Sequence, residues 1–136
     1  MAKRLYIPCD IFKRGINIFC GTLDEFKAWV NDTFTYDDDV DFVKMVNELE
    51  ENKIGMASFN YNNLNGTGVI LLEKQPETPK EIAALAHEAL HATFHMLNCC
   101  HVEYCYDGNN ETFTHVMEHL MRNALEFDKY EDITIK

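Results

Sequence analysis

The sequence predicts a single α+β domain: a small twisted sheet with an edge hairpin packed on a histidine-containing helix, and a further helix at the C-terminus. Three observations lead to this prediction. The chain has 136 residues, enough for one core, so a single domain spanning 1–136 is expected. Short strand-like segments precede two long segments with helical periodicity. No repeat, low-complexity run or linker divides the chain.

The N-terminal part contains two short strands and a helix. The segments RLYIP and INIFC are typical of strands. Thr22 and Glu25 have the spacing of a capping box, in which side chains and backbone N–H groups at a helix start satisfy each other. The helix that follows places apolar residues on one side, namely Leu23, Phe26, Trp29 and Val30.

A second helix is predicted in the segment TYDDDVDFVKMVNELEEN, where apolar residues recur at helical spacing. An acidic cluster precedes them, namely Asp37, Asp38, Asp39 and Asp41. Such a cluster could bind a hard cation, but it lacks the glycine and later glutamate of a calcium-binding loop. We therefore interpret it as a solvated helix start, where negative charge is favourable.

A β-hairpin comes next. Ala57, Phe59 and Tyr61 alternate with smaller or polar residues, and the pair Asn65-Gly66 favours a tight turn before TGVILLE. This hairpin is expected at the edge of the sheet.

Two helices complete the chain. The first has clear start signals: Thr78 as N-cap, Pro79 at the first helical position and Glu81 completing a capping box. Its periodicity runs to about Leu97, and a last amphipathic helix is predicted from near Glu111 to about residue 127.

Composition and charge restrict the possible partners. No apolar run approaches the roughly 20 residues of a membrane helix, so a membrane is not an expected partner. The net charge of −11 would repel nucleic acid and anionic lipid. The start MAKRLYIPCD breaks at Pro8 and Asp10 before a secretory signal develops, and the odd number of cysteines suits reduced thiols. We therefore expect a cytoplasmic protein.

The motif that indicates chemistry is HEALH, residues 87–91. Residues four apart lie on the same face of a helix, so His87 and His91 can offer imidazole nitrogens to one ion. Glu88 projects close enough to act on a water bound there. This HExxH pattern predicts a Zn²⁺ site in which the metal lowers the pKa of its water and the glutamate takes the proton. A coincidental histidine stripe is the alternative.

A third ligand has to come from outside this stripe. His95 is eight residues from His87, a rise of roughly 12 Å, so all three histidines cannot bind one ion. The glycine turn of metzincins is absent after the motif. The last helix offers Glu111, His115 and Glu118 on one stripe, with His119 at its margin.

HEALH followed by NNETFTHVMEHLM resembles the zincin metallopeptidases, in particular the gluzincins, in which a glutamate about twenty residues after HExxH lies in a second helix. It is also similar to compact ImmA/IrrE-type domains and small HExxH proteins of phages and prophages. The resemblance covers roughly residues 54–127. It implies a zincin-like fold, His87, His91 and Glu111 as zinc ligands, and Glu88 as general base and later proton donor.

The resemblance further implies a zinc metallopeptidase acting on a peptide or protein substrate, with the GVILLE strand beside the cleft. His115 stands where thermolysin-like enzymes have an aspartate, so it could orient a ligand, stabilise the oxyanion or bind the metal itself. Tyr104 and Tyr106 are further candidates for oxyanion stabilisation.

Two alternatives remain open. The segment NCCHVEYC holds soft donors for a structural zinc site, namely Cys99, Cys100, His101 and Cys105, although their spacing is not that of a zinc knuckle. The chain could also be a non-catalytic, zinc-stabilised interaction module that binds a partner through its acidic surface.

Overall fold

The computed structural model describes residues 2–10, 14–33, 57–61, 67–105, 108 and 110–133. Its strands are β1 (Lys3–Cys9), β2 (Arg14–Cys20), β3 (Ala57–Tyr61), β4 (Thr67–Leu72) and β5 (Glu131–Asp132). Its helices are α1 (Leu23–Thr33), α2 (Pro79–Cys99) and α3 (Asn110–Ala124), followed by a 3-10 turn at Phe127–Lys129.

The five strands form one sheet in the order β3-β4-β2-β1-β5. β2 and β4 pair in parallel, and the other neighbours are antiparallel. The sheet is therefore mixed, and the predicted α+β character is confirmed. β3 lies at the edge and pairs with β4, as expected for the two hairpin strands. The predicted turn at Asn65-Gly66 and the predicted second helix lie outside the described residues.

The main core lies between one face of the sheet and the two C-terminal helices. Strand side chains alternate between the two faces, so every second residue of β1, β2 and β4 points toward this core. The strands contribute Ile7, Cys9, Ile16, Ile18, Cys20, Ile70 and Leu72, and the helices contribute Leu85, Ala89, Met96, Leu97, Phe113, Val116 and Leu120. The HExxH helix thus packs beneath the sheet with α3 alongside.

The other face of the sheet is covered by α1. Phe19 alternates with Ile18 and Cys20 and so points away from the main core. Its ring centroid lies 5.4 Å from that of Phe26 and 5.2 Å from that of Trp29. The capping box at the start of α1 is present, since the Glu25 carboxylate accepts from the Thr22 N–H at 3.0 Å. Helices therefore lie on both faces of the sheet.

Helix α2 begins as the sequence predicts. The Thr78 hydroxyl accepts from the Glu81 N–H at 3.2 Å, and the Glu81 carboxylate accepts from the Thr78 N–H at 3.0 Å. Pro79 follows directly and has no N–H to leave unsatisfied. These local bonds set the first residue of the helix. Counting from it gives the face of the helix on which each later side chain lies.

The far end of α2 is a Schellman motif. The Val102 N–H donates to the Leu97 carbonyl at 2.9 Å, and the His101 N–H donates to the Asn98 carbonyl at 3.0 Å. His101 takes the left-handed conformation, with φ 60°, that glycine usually supplies at this position. His101 therefore has a structural role in ending the helix.

Helix α3 ends three residues before the predicted end. The buried Tyr130 hydroxyl donates to the Ala124 carbonyl at 2.7 Å and so satisfies one of the last helical carbonyls. The chain then adds β5 to the free edge of β1. A strand of two residues is too short to show an alternating pattern, so the sequence did not predict this pairing. In the described part of the chain, no helix has the length and apolar character needed to cross a bilayer.

Candidate metal centre

The candidate centre lies on the outer face of α2. Ala89, Ala92 and Met96 turn into the core, whereas His87 and His91 lie on the exposed side of the same helix. The side chain of His87 is 68% exposed. We call His87 and His91 the histidine pair.

The two imidazoles of the histidine pair converge. Their Nε2 atoms lie 3.2 Å apart, and the ring planes are inclined at 73°. Two nitrogen ligands about 2.1 Å from one zinc ion in tetrahedral geometry are about 3.4 Å apart. The pair therefore has the separation of two ligands to a single ion with little rearrangement. Without an ion, one ring has to donate a hydrogen bond to the other.

His95 lies on the same stripe of the helix, but its ring does not converge on the same point as the rings of the pair. Its ring centroid lies 6.3 Å from that of His91, and the two rings are stacked rather than aimed at one point. Burial lowers the pKa of His95, and the charge of a protonated His91 lowers it further. His95 is therefore a neighbour of the pair, in agreement with the argument from helical rise.

Glu88 lies next to the pair and is much more enclosed than it. Its side chain is 13% exposed, and its Oε1 atom lies 3.9 Å from the Nε2 atom of His87. A carboxylate at this position can act on a water molecule held at the histidine nitrogens. Three residues of the motif, His87, Glu88 and His91, are thus close together on one helix.

The described structure does not bring Glu111 to the histidine pair. Thr93 on α2 faces Met117 on α3, with Oγ1 4.0 Å from Sδ, and the rings of Phe94 and Phe113 are 5.1 Å apart. These contacts set the two helices antiparallel. The histidine pair and Glu111 then lie on opposite sides of this contact, roughly 12 to 15 Å apart along the axes at 1.5 Å per residue.

Glu111 has a different neighbour. Its carboxylate lies 3.5 Å from the Nε2 atom of His115 one helical turn later, and both side chains are more than 70% exposed. Within the ranges that the structure describes, no three His, Cys, Asp or Glu side chains form a group able to hold a metal ion.

Apolar side chains that sequence analysis did not single out flank the histidine pair. Leu90 is 45% exposed and Phe94 is 40% exposed, although both are on the helix that builds the core. Tyr104 packs against Phe94 and Phe113, with ring centroids 6.0 Å and 5.3 Å away, so it belongs to an aromatic cluster beside the helix pair. Helical spacing gave no signal for Leu90, since it lies three and seven residues before the buried Thr93 and Leu97.

His119 and the loop cysteines are the remaining candidates that the structure describes. His119 donates a hydrogen bond from Nε2 to the Pro8 carbonyl of β1 at 2.9 Å. Cys100 and Cys105 are free thiols in the loop after α2. Tyr106 lies outside the described residues. His119 is therefore engaged with β1 rather than with the histidine pair.

Comparisons with protein-family models, curated proteins and solved structures found no match to this chain.

Proposed function

We propose that the histidine pair binds a zinc ion. On this proposal the chain is a zinc-dependent hydrolase of zincin-like character, and its activity is that of a peptidase. The observation that carries this proposal is the 3.2 Å separation of the two Nε2 atoms on the helix that also presents Glu88. Neutral imidazole is a preferred zinc ligand, and catalytic zinc sites combine three protein ligands with an open position for water. The pair supplies two of these ligands, and Glu88 supplies the base that metal-assisted hydrolysis needs.

Each residue of the motif has a role in this proposal. His87 and His91 hold the ion through Nε2, which requires both rings to carry their proton on Nδ1. Zinc held there would lower the pKa of a bound water and polarise a carbonyl oxygen. Glu88 accepts the proton of the attacking water and passes it to the leaving amine. Its low exposure keeps the carboxylate next to His87 rather than extended into solvent.

The third ligand stays a prediction. The zincin resemblance implies Glu111 as this ligand. Its distance from the histidine pair along the helix axes gives it less support than His87 and His91 have as ligands. His115, its competitor, lies one helical turn further along α3 and lines the side of that helix turned toward β1. A comparison of zinc content in Glu111→Ala and wild type decides whether Glu111 contributes.

A peptide substrate suits the surroundings of the histidine pair. Leu90 and Phe94 offer exposed apolar surface within about two helical turns of the pair, on which an apolar side chain of an extended peptide can pack. The edge strand β3 belongs to the same sheet under which α2 packs. The cytoplasmic location predicted from the sequence stays a prediction.

The first test is the metal content of protein purified without added metal, measured by elemental mass spectrometry. We expect about one zinc per chain in the wild type, with most of it lost in His87→Ala and in His91→Ala. His95→Ala is the matched control on the same helix and should keep its zinc. Wild-type protein that contains no zinc even after reconstitution would refute the proposal.

The second test concerns catalysis. Glu88→Gln should keep zinc but lose hydrolysis of a quenched-fluorescence peptide library by at least about 100-fold, because the general base is removed. Glu73→Gln, an exposed glutamate directly after β4, is the control and should hydrolyse as the wild type does. Equal hydrolysis by Glu88→Gln and wild type would exclude the proposed mechanism.

A second function is favoured by one observation, the exposure of the histidine pair on an outer helix face. Such a pair could hold zinc for binding to another protein, as in a zinc-stabilised interaction module without catalysis. A hydroxamate distinguishes the two functions, since it binds zinc only where a ligand position is open to water. Zinc-loaded protein that binds no hydroxamate would favour the interaction module.

A further inference from the structure

A cleft of about 430 Å³ lies between the end of β1 and helix α3. Its walls are residues 8–10 together with Thr112, His115, Val116 and His119. These α3 residues recur at helical spacing on the side of the helix turned toward β1, whereas Met117 faces α2. The cleft is therefore distinct from the histidine pair, and its volume is that of a small-molecule site.

The inner wall of the cleft is apolar. Val116 and Cys9 are both more than 90% buried and belong to the main core. Burial raises the pKa of the Cys9 thiol to about 11, and the charge of Asp10 adds to this effect. The thiol is therefore protonated at neutral pH and presents a neutral, weakly polar surface. A ligand lying here has to bring an apolar group.

One histidine fixes the shape of the cleft. A carbonyl can only accept, so the hydrogen bond to Pro8 makes Nε2 the protonated nitrogen of His119. Its Nδ1 atom then accepts from the Asn123 side-chain amide at 3.3 Å. With both nitrogens bonded, the ring joins α3 to β1 in one orientation. This wall of the cleft is therefore held in place by two hydrogen bonds.

The charges around the cleft favour a cation. Asp10 lies on its wall, and the exposed Glu111 carboxylate pairs with His115 at the rim. Among the residues that the structure describes, the lining contains no lysine or arginine. The whole chain carries a net charge of −11, which adds a field attracting cations to any surface cleft. An anionic ligand would meet repulsion at the mouth.

We propose that this cleft binds a small primary amine that carries an aromatic or branched apolar group. The apolar group packs against Val116 and Cys9, and the ammonium lies beside the Asp10 carboxylate. This assignment uses His119, to which the proposed zinc chemistry gives no role. It stands or falls independently of that chemistry.

The test is an NMR titration of ¹⁵N-labelled protein with 2-phenylethylamine and two matched ligands, the neutral 2-phenylethanol and the anionic 3-phenylpropanoate. We expect saturable shifts centred on Thr112 and Val116. The amine should bind about two- to fivefold more tightly than the alcohol, the range of an exposed ion pair. Asp10→Asn should remove this preference, and Asp32→Asn, an exposed acid on α1, should keep it.

A second pair of variants tests the location. Thr112→Trp fills the cleft from its half-buried rim and should abolish binding, whereas Thr114→Trp points outward from the same helix and should not. Absence of saturable shifts, shifts centred outside the cleft, equal or tighter binding of the propanoate, or an unchanged preference in Asp10→Asn would each overturn the proposal.

Discussion

Zinc should stabilise the folded chain through the histidine pair and through no other histidine of its stripe. The change to test is the replacement of one histidine at a time: His87→Ala, His91→Ala and His95→Ala. The reason is geometric. The Nε2 atoms of the pair are 3.2 Å apart, whereas the ring of His95 is stacked 6.3 Å from that of His91. Removal of either member of the pair leaves a single nitrogen donor.

The size of the expected stabilisation by zinc follows from the thermodynamic linkage between binding and folding. A ligand that binds only the folded state at 100 times its Kd raises the free energy of unfolding by about 2.7 kcal/mol. For a chain of 136 residues, the usual unfolding entropy per residue converts this into a rise in Tm of about 9 °C. His87→Ala and His91→Ala should reduce the rise to near zero, and His95→Ala should keep most of it.

The assay is thermal unfolding followed by circular dichroism, with each variant measured in zinc and in EDTA. Only the difference between the two conditions is compared, which removes any direct effect of a substitution on the fold. Unfolded chains also bind zinc through their cysteines. This binding lowers the zinc-induced rise in Tm of all variants alike. A rise that survives in both His87→Ala and His91→Ala, or that disappears in His95→Ala, would refute the geometric reasoning.

Three further predictions concern the scaffold that presents the site. Thr78→Ala should lower the free energy of unfolding in urea by about 1 kcal/mol, because the N-cap of α2 is lost. Backbone hydrogen bonds from Thr78 and Glu77 lower the pKa of Glu81 from 4.5 to about 2, so its stabilisation is complete above pH 4.5 and is lost as the pH falls toward 2. Glu81→Gln should therefore show a weaker loss of stability across that interval of acid titration, and an unchanged slope would contradict the assignment. Leu120→Ala, which empties a fully buried position, should cost about 3 kcal/mol in urea unfolding, and the exposed Leu90→Ala less than about 0.5.

Local signals in the sequence predicted the elements that local bonds determine. The capping boxes at Thr22 and Thr78 are formed by residues three apart, so their spacing was sufficient to place both helix starts. Strands β1 and β2 were predicted from short strand-like segments, β3 from alternating apolar residues and β4 from the turn signal that precedes it. The end of α3 was predicted three residues too late, because the hydroxyl of Tyr130 reaches Ala124 from a later part of the chain.

The sequence also predicted the part of the candidate site that one helix contains. A separation of four residues sets His87 and His91 on one face whatever the surrounding fold, so their convergence follows from helix geometry. The same reasoning excluded His95. It could not decide on Glu111, because the distance between two helices depends on which residues pack between them.

By itself, then, the sequence determined the local elements, the mixed α+β character and the spacing of the histidine pair, all of which depend on neighbours within about one helical turn or one strand. The tertiary structure alone decided that α1 and α2 cover opposite faces of the sheet, that Glu111 lies about two helical turns or more from the pair along the helix axes, and that His119 closes a cleft against β1. These features depend on contacts between residues far apart in the chain, and no spacing within a single element specifies them.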